Sequence, residues 1–193
     1  MIRNAISTAT LGAALALASA TARAEAQKIA DFAAEPAAAP AWKAYSDMMI
    51  SGGQSSGTFE RRSENGNAYL HVGGELKPGF AFPFAGVQMP LRNLALGTDW
   101  SAYKGVRFKA RGDGKVYRFN VLIASVRDHD EHGGFFTTTK EWKTHEIPFE
   151  KMKQTGYGRR IAWNPKAIAA IGFHAAGGSM PYGFDIDDIE LYR

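Results

Sequence analysis

The chain has 193 residues, with 23 Lys and Arg against 19 Asp and Glu, no Cys, 21 Gly and 45% apolar residues. This composition excludes disordered, collagen-like and disulfide-built chains and suits one globular domain with its own core. Without residues 1–24, which carry Arg3 and Arg23 and no acid, the net charge is +2, too small a surplus to point to nucleic acid.

Those first 24 residues read as a secretory signal peptide. Met1 to Asn4 include Arg3, Ala5 to Ala20 carry no charge, and Ala22-Arg23-Ala24 is a small-x-small site ahead of Glu25. A transit peptide would be richer in Arg and amphipathic, and a retained anchor more strongly apolar. The expectation is an exported chain, periplasmic in a Gram-negative cell, with no membrane span after cleavage and one domain over residues 25–193.

From Glu25 to Ala41 the sequence is rich in Ala and Pro around an apolar cluster at Ile29 to Phe32, which predicts a short first strand and a linker. Thr58 to Arg62 looks extended. Further runs with period-two alternation occupy Tyr69 to Leu76, Phe80 to Phe84, Val106 to Arg111, Val116 to Val126, Phe135 to Thr139, Trp142 to Ile147, Ile168 to His174 and Phe184 to Leu191. Gly, Pro, Asn and Asp punctuate nearly every gap. Helical spacing is confined to a turn or two around Lys166 to Ile171, so the fold class is all-β, with two packed sheets. In the last run the apolar phase slips by one residue between Ile186 and Ile189, which predicts a β-bulge at Asp187-Asp188.

Candidate chemistry is sparse. Gly53-Gln54-Ser55-Ser56-Gly57 matches the G-x-S-x-G pattern of a nucleophilic serine, yet a strand follows where that pattern needs a helix; a Gly/Ser loop is the competing reading. Arg127 to Gly134 gathers two His and three acids at a hairpin tip, either metal ligands or a solvated turn. Asp31, Asp187 and Asp188, with Asp185, could supply the oxygens of a structural Ca²⁺ site; the competing reading is a polar face beside a bulge. Trp and Tyr side chains between Trp42 and Tyr182 are numerous enough to supply a sugar platform besides the core. His71, His145 and His174 sit singly in strand patterns, packed or facing solvent.

Taken in order, Ser46-Asp47-Met48-Met49-Ile50-Ser51-Gly52-Gly53-Gln54-Ser55-Ser56-Gly57, Gly112-Asp113-Gly114 with Tyr117, Phe136-Thr137 with Trp142-Lys143-Thr144, Ile147-Pro148-Phe149, Ile171-Gly172-Phe173 and Gly183 to Ile189 resemble the complex I intermediate-associated protein family. Ser46 stands where the family pattern has an acid, and the run before Gly52-Gly53 is longer. The resemblance implies a galactose-binding-like jelly roll related to carbohydrate-binding modules. It also implies a non-catalytic assembly or chaperone-like role towards a membrane-associated, respiratory protein complex. On the same ground Asp47, Gln54 and Ser55 are candidate partner- or ligand-binding residues, with Arg111, Asp113, Tyr117 and Trp142 as neighbours. Asp113 between glycines also reads as a turn residue, and Arg111 as an outward charge continuing Arg107 and Lys109. The second functional expectation is glycan binding by aromatic rings of a jelly roll, with Trp142 or Tyr117 as the rings. An enzyme is disfavoured, since neither a nucleophile–base pair nor a metal quartet is legible.

Overall fold

A computed structural model describes residues 26–33, 42–91 and 99–193. The signal-peptide reading and most of the Ala/Pro linker therefore lie outside the described residues. The described residues form eleven strands: β1 (Gln27–Ala30), β2 (Lys43–Ser46), β3 (Ser56–Glu64), β4 (Asn67–Leu76), β5 (Phe84–Pro90), β6 (Gly105–Gly112), β7 (Val116–Ile123), β8 (His132–Thr137), β9 (Lys143–Pro148), β10 (Ile168–Ala176) and β11 (Met180–Tyr192). Two single turns of 3₁₀ helix, at Asp47–Met49 and Phe149–Lys151, are the only helical elements among the described residues, and none of these is long and apolar enough to cross a membrane.

All pairings between the strands are antiparallel. One sheet has the order β3-β4-β11-β6-β9, with β1 also on β11, and the other the order β2-β5-β10-β7-β8. The two layers form a jelly-roll sandwich. Alternation decides which side chains meet between them: Val72, Phe108, Ala110, Phe184 and Ile186 from the six-stranded sheet face Val87, Phe119, Val121, Ile171 and Phe173 from the five-stranded one. Phe108 lies at the centre, with ring centroids 4.9 Å from Phe173, 5.0 Å from Phe136 and 5.7 Å from Phe119. Each such buried ring contributes about 1.5–3 kcal/mol through the area it removes from water.

The bulge occurs where the phase slip puts it. The β11–β6 register shifts between Asp187 and Glu190, and Asp188 takes φ +48°, which re-aims Ile189 and Leu191 into the core. Other boundaries move. The Phe80 to Phe84 alternation belongs largely to a loop whose rings pack on each other, with Phe80 6.4 Å from Phe82 and 6.5 Å from Phe84; the strand starts at Phe84, after Pro83. β2 has no counterpart in the sequence reading. β7 stops at Ile123, β8 starts at His132, and the turn or two of helix around Lys166 is a turn leading into β10.

Candidate functional site

Around the glycine-rich segment, the carboxylate of Asp47 is fully buried. It accepts from the Ser55 backbone N–H at 2.8 Å, the Ser55 hydroxyl at 2.6 Å and the Phe84 N–H at 3.1 Å. The Ser55 Oγ in turn accepts from the Lys77 N–H at 3.1 Å. These bonds tie the first 3₁₀ turn to the starts of β3 and β5. Gly53 is needed there because a Cβ would lie 1.9 Å from the Asp47 carbonyl oxygen. The hydroxyl proton that a nucleophilic Ser55 would pass to a base goes to Asp47. Gln54 is exposed, its amide close to Gly79.

Arg111, Trp142 and Tyr69 stack on the outer face of the six-stranded sheet, with the guanidinium 4.8 Å from the Trp142 ring and 5.0 Å from the Tyr69 ring. Arg111 Nε donates to Asp185 at 2.8 Å and Nη1 to Glu64 at 2.6 Å. Asp113 caps its own turn by accepting from the Lys115 N–H at 3.1 Å and from the Tyr117 hydroxyl at 2.8 Å; the Tyr117 ring is in the core, 4.3 Å from that of Phe184. The structure thus places Arg111 and Trp142 together, Asp113 and Tyr117 together, and both pairs apart from Asp47 and Ser55.

At the bulge, Lys28 Nζ lies 3.3 Å from Asp31 and 3.0 Å from Asp188, and Lys109 Nζ lies 2.8 Å from Asp188. An ammonium holds the position that the Ca²⁺ reading gives to the ion. Asp187 is buried; one oxygen accepts from Asn67 at 3.0 Å and the other has no protein partner. Among the described residues no three His, Cys, Asp or Glu side chains are grouped to hold a metal.

The outer face of the five-stranded sheet is different. Register places Tyr45, Gly86, His174, Arg118 and Phe135 in one cross-strand row, and Lys43, Gln88, Gly172, Asn120 and Gly133 in another. The row between them, which includes Val87, Phe173 and Phe119, faces the core. Two segments fold over this face: residues 124–131, between β7 and β8, and residues 152–161. Arg118, 6% exposed, donates from Nη2 to the carbonyls of Glu131 at 2.9 Å and Lys153 at 2.6 Å. Asn120 lies 2.7 Å from His174 Nδ1. Arg118 Nε, Asn120 Oδ1 and Glu131 Oε1 are buried without a protein partner. Gly133 leaves them room, since a Cβ there would come within 2.7 Å of that Nε and 2.6 Å of that Oδ1.

The titrating groups follow this burial. Burial pushes the Glu131 carboxyl up to about 7, against the pull of Arg118 and a Tyr45 hydrogen bond. Burial, reinforced by the Arg118 cation, holds His174 down to about 3, so the imidazole is neutral at physiological pH. Asp130 behaves oppositely: burial raises it, but hydrogen bonds from Thr155, Gly156 and Gly158 outweigh that and hold it below the usual carboxylate range. This carboxylate in a nest of N–H groups, with Asp128 accepting from the Arg159 N–H at 2.6 Å, builds the rim. Asp128 and Asp130 of the 127–134 cluster are therefore spent on loop closure.

On that rim Tyr157, 56% exposed, stacks on Phe82, 62% exposed, at 6.1 Å and 13°. Phe135, 66% exposed, lies at the far end of the Arg118 row, its ring 5.5 Å from the guanidinium. Exposed rings around a floor of unmet donors and acceptors can grip a ligand that has both an apolar face and polar edges. Sequence reasoning missed this assembly. Arg118 and Asn120 do interrupt an apolar run at alternate positions, which was the available signal.

Relatives agree with the architecture. The family 11 carbohydrate-binding module of Clostridium thermocellum superposes with TM-score 0.70 at 19% identity, covering 87% of this chain and 94% of that one. The same module in complex with a β-1,3-1,4-mixed-linked tetrasaccharide gives 0.68 at 19% identity, covering 86% and 95%. The family 30 carbohydrate-binding module from the same organism gives 0.51 at 17% identity, covering 72% and 90%. In sequence, 81 residues are 32% identical to Endoglucanase 3 of Fibrobacter succinogenes; this is 40% of the chain and spans only 12% of that enzyme's length. The family model described as complex I intermediate-associated protein 30 matches residues 30–187, and the chain belongs to that family.

Proposed function

We propose that this chain is a non-catalytic glycan-binding domain that works on the outer face of its five-stranded sheet. The observation that carries the reading is the coincidence of buried, unpartnered polar atoms on Arg118, Asn120 and Glu131 with the exposed rings of Phe82, Tyr157 and Phe135. A sugar presents its C–H face to such rings, and its hydroxyls meet such atoms where the covering segments part, so one ligand answers both needs. The tetrasaccharide held by the family 11 module and the glycan-directed names of the other relatives support the class. Export, as read from residues 1–24, would put the domain among envelope or extracellular polysaccharides.

Affinity electrophoresis in gels containing neutral or acidic soluble polysaccharides tests this. Retardation by at least one polysaccharide is expected, and it is relieved in Phe82→Ala/Tyr157→Ala. Unretarded migration in every gel would defeat the reading.

A second reading, an assembly or chaperone-like role towards a membrane-associated respiratory complex, is favoured by the family match. Met48 and Met49, 66% and 65% exposed beside Asp47, would supply the adaptable contact. Gene deletion followed by envelope proteomics and a respiration assay separates the two: a lost complex with unchanged glycan binding favours assembly.

A further inference from the structure

Beside Arg118 a groove of ≈ 570 Å³ opens between the outer edge of β8, which Gly133 bridges to Lys153, and residues 151–155, a volume within the range of small-ligand sites. Donors predominate among its polar side chains. Arg118, Lys151 and Lys153 line it and can accept nothing. Gln154 is saturated, its Nε2 donating to the carbonyls of Asp130 and Arg159 and its Oε1 accepting from the Ile161 N–H. The Thr155 hydroxyl donates to Asp130. Glu146 is the one carboxylate of the lining, and it is paired with Arg107 at 2.7 Å. Glu131, the nearest buried acid to Arg118, is turned towards Tyr45, and Asp130 is enclosed by the loop.

The small net charge of the whole chain, +4, conceals this local excess. From Lys151 to Phe184 there are five cations and no acid. A neutral sugar brings a donor on every hydroxyl, and among the side chains of this wall only the second Glu146 oxygen and the Thr155 oxygen are left to accept them. An anionic sugar offers surplus acceptors, and charge-assisted bonds from Lys and Arg are roughly twice as strong as neutral ones. Phe135, exposed in the same lining, supplies a flat apolar surface for the ring.

We propose that this groove is a subsite for an acidic sugar, a pyranose bearing a carboxylate or a sulfate ester, with its ring on Phe135 and its anionic group towards Lys151, Lys153 and Arg118. This deepens the glycan reading and rests on it.

Calorimetry on the full chain tests it with four probes: an oligogalacturonide, a sulfated galactan oligosaccharide, a neutral mixed-linked β-glucan oligosaccharide and a single-stranded oligonucleotide of equal charge. The comparison variant is Lys151→Ala/Lys153→Ala, whose exposed side chains can be removed without touching the core. At least one acidic oligosaccharide is expected to bind most tightly and to weaken as salt rises; which one identifies the anionic group. Its affinity falls by about tenfold in the double variant, while neutral-glucan affinity does not move. Equal or tighter binding of the neutral probe, or an acidic-probe affinity unchanged in the double variant, overturns the subsite and leaves the glycan reading standing. Tighter binding of the oligonucleotide also overturns it, in favour of a nucleic-acid groove. Binding of no saccharide at all overturns both proposals.

Discussion

On the outer face of the six-stranded sheet, Arg107 pairs with Glu146 and Glu190, Arg111 with Glu64 and Asp185, and Lys109 and Lys28 with Asp188. Across the sandwich, on the five-stranded sheet, Arg118, Asn120 and Glu131 are buried under loops and each keeps an atom with no partner. Apart from one buried oxygen of Asp187, the first face has met its own electrostatic needs inside water-accessible pairs worth little each. The second holds polar groups away from water with bonds still to make, which costs the fold free energy unless a ligand supplies them. Paired charge on a surface is thus a poor guide to a binding site; unmet bonds are a better one.

The sharpest way to test that contrast is Arg118 itself. Arg118→Met leaves Glu131 and two carbonyls without their cation, and urea unfolding should show a loss of about 3 kcal/mol. Glu131→Gln in the same background should restore part of it, because the uncompensated carboxyl is gone. A loss as small as that of a surface pair would erase the distinction between the faces.

The rings come next. Phe82→Ala and Tyr157→Ala should each weaken glycan binding by roughly three- to tenfold, from about 0.5–1.5 kcal/mol per stacked ring, with melting temperature nearly unchanged. Trp142→Ala, which removes one ring stacked on Arg111, should leave glycan affinity as it is. The reverse pattern would transfer the binding face to the six-stranded sheet.

Titration offers a subtler reading. Glu131, raised from 4.5 to about 7 among Arg118, Tyr45 and Asp130, keeps a proton in the folded state that the unfolded chain releases. Its contribution is complete below pH 4.5 and is lost as pH rises through about 7. His174, lowered from 6.5 to about 3, works the other way, since the unfolded imidazole takes up a proton that the folded one refuses. Its contribution is complete above pH 6.5 and is lost as pH falls to about 3. Denaturation across pH should therefore show Glu131→Gln gaining on the wild type from about pH 4.5 to about 7, and His174→Asn flattening the acid limb.

The smallest effect belongs to the paired face. Arg111→Ala should cost about 1 kcal/mol, diminished by salt, and leave every glycan affinity unchanged. A loss of binding there would break the comparison from the other side.

Much of the fold was legible. Period-two alternation in Val106 to Arg111 and Ile168 to His174 gave β6 and β10, and the slip between Ile186 and Ile189 gave the bulge, because these patterns reflect one buried face on one strand. β5 was displaced because Phe80, Phe82 and Phe84 alternate as a strand would, although the first two pack in a loop. The candidate site was far less legible. Asp47 and Ser55 announced a motif, and their chemistry proved to be a buried staple. His174 looked like a lone polar residue in a strand, and Arg118 and Asn120 only interrupted the apolar run of β7.

Alternation by itself determined that the described strands would form a two-layer β sandwich and which side chains would point away from its core. Only the tertiary structure decided that Tyr45, His174, Arg118 and Phe135, scattered over four strands, would lie in one row. It alone decided that residues 124–131 and 152–161 would close over that row and leave the opposite face to water. The physical reason is that side-chain phase is a local property of each strand. Register between distant strands, and the loops that remove water from one face, depend on contacts that no single stretch of sequence contains.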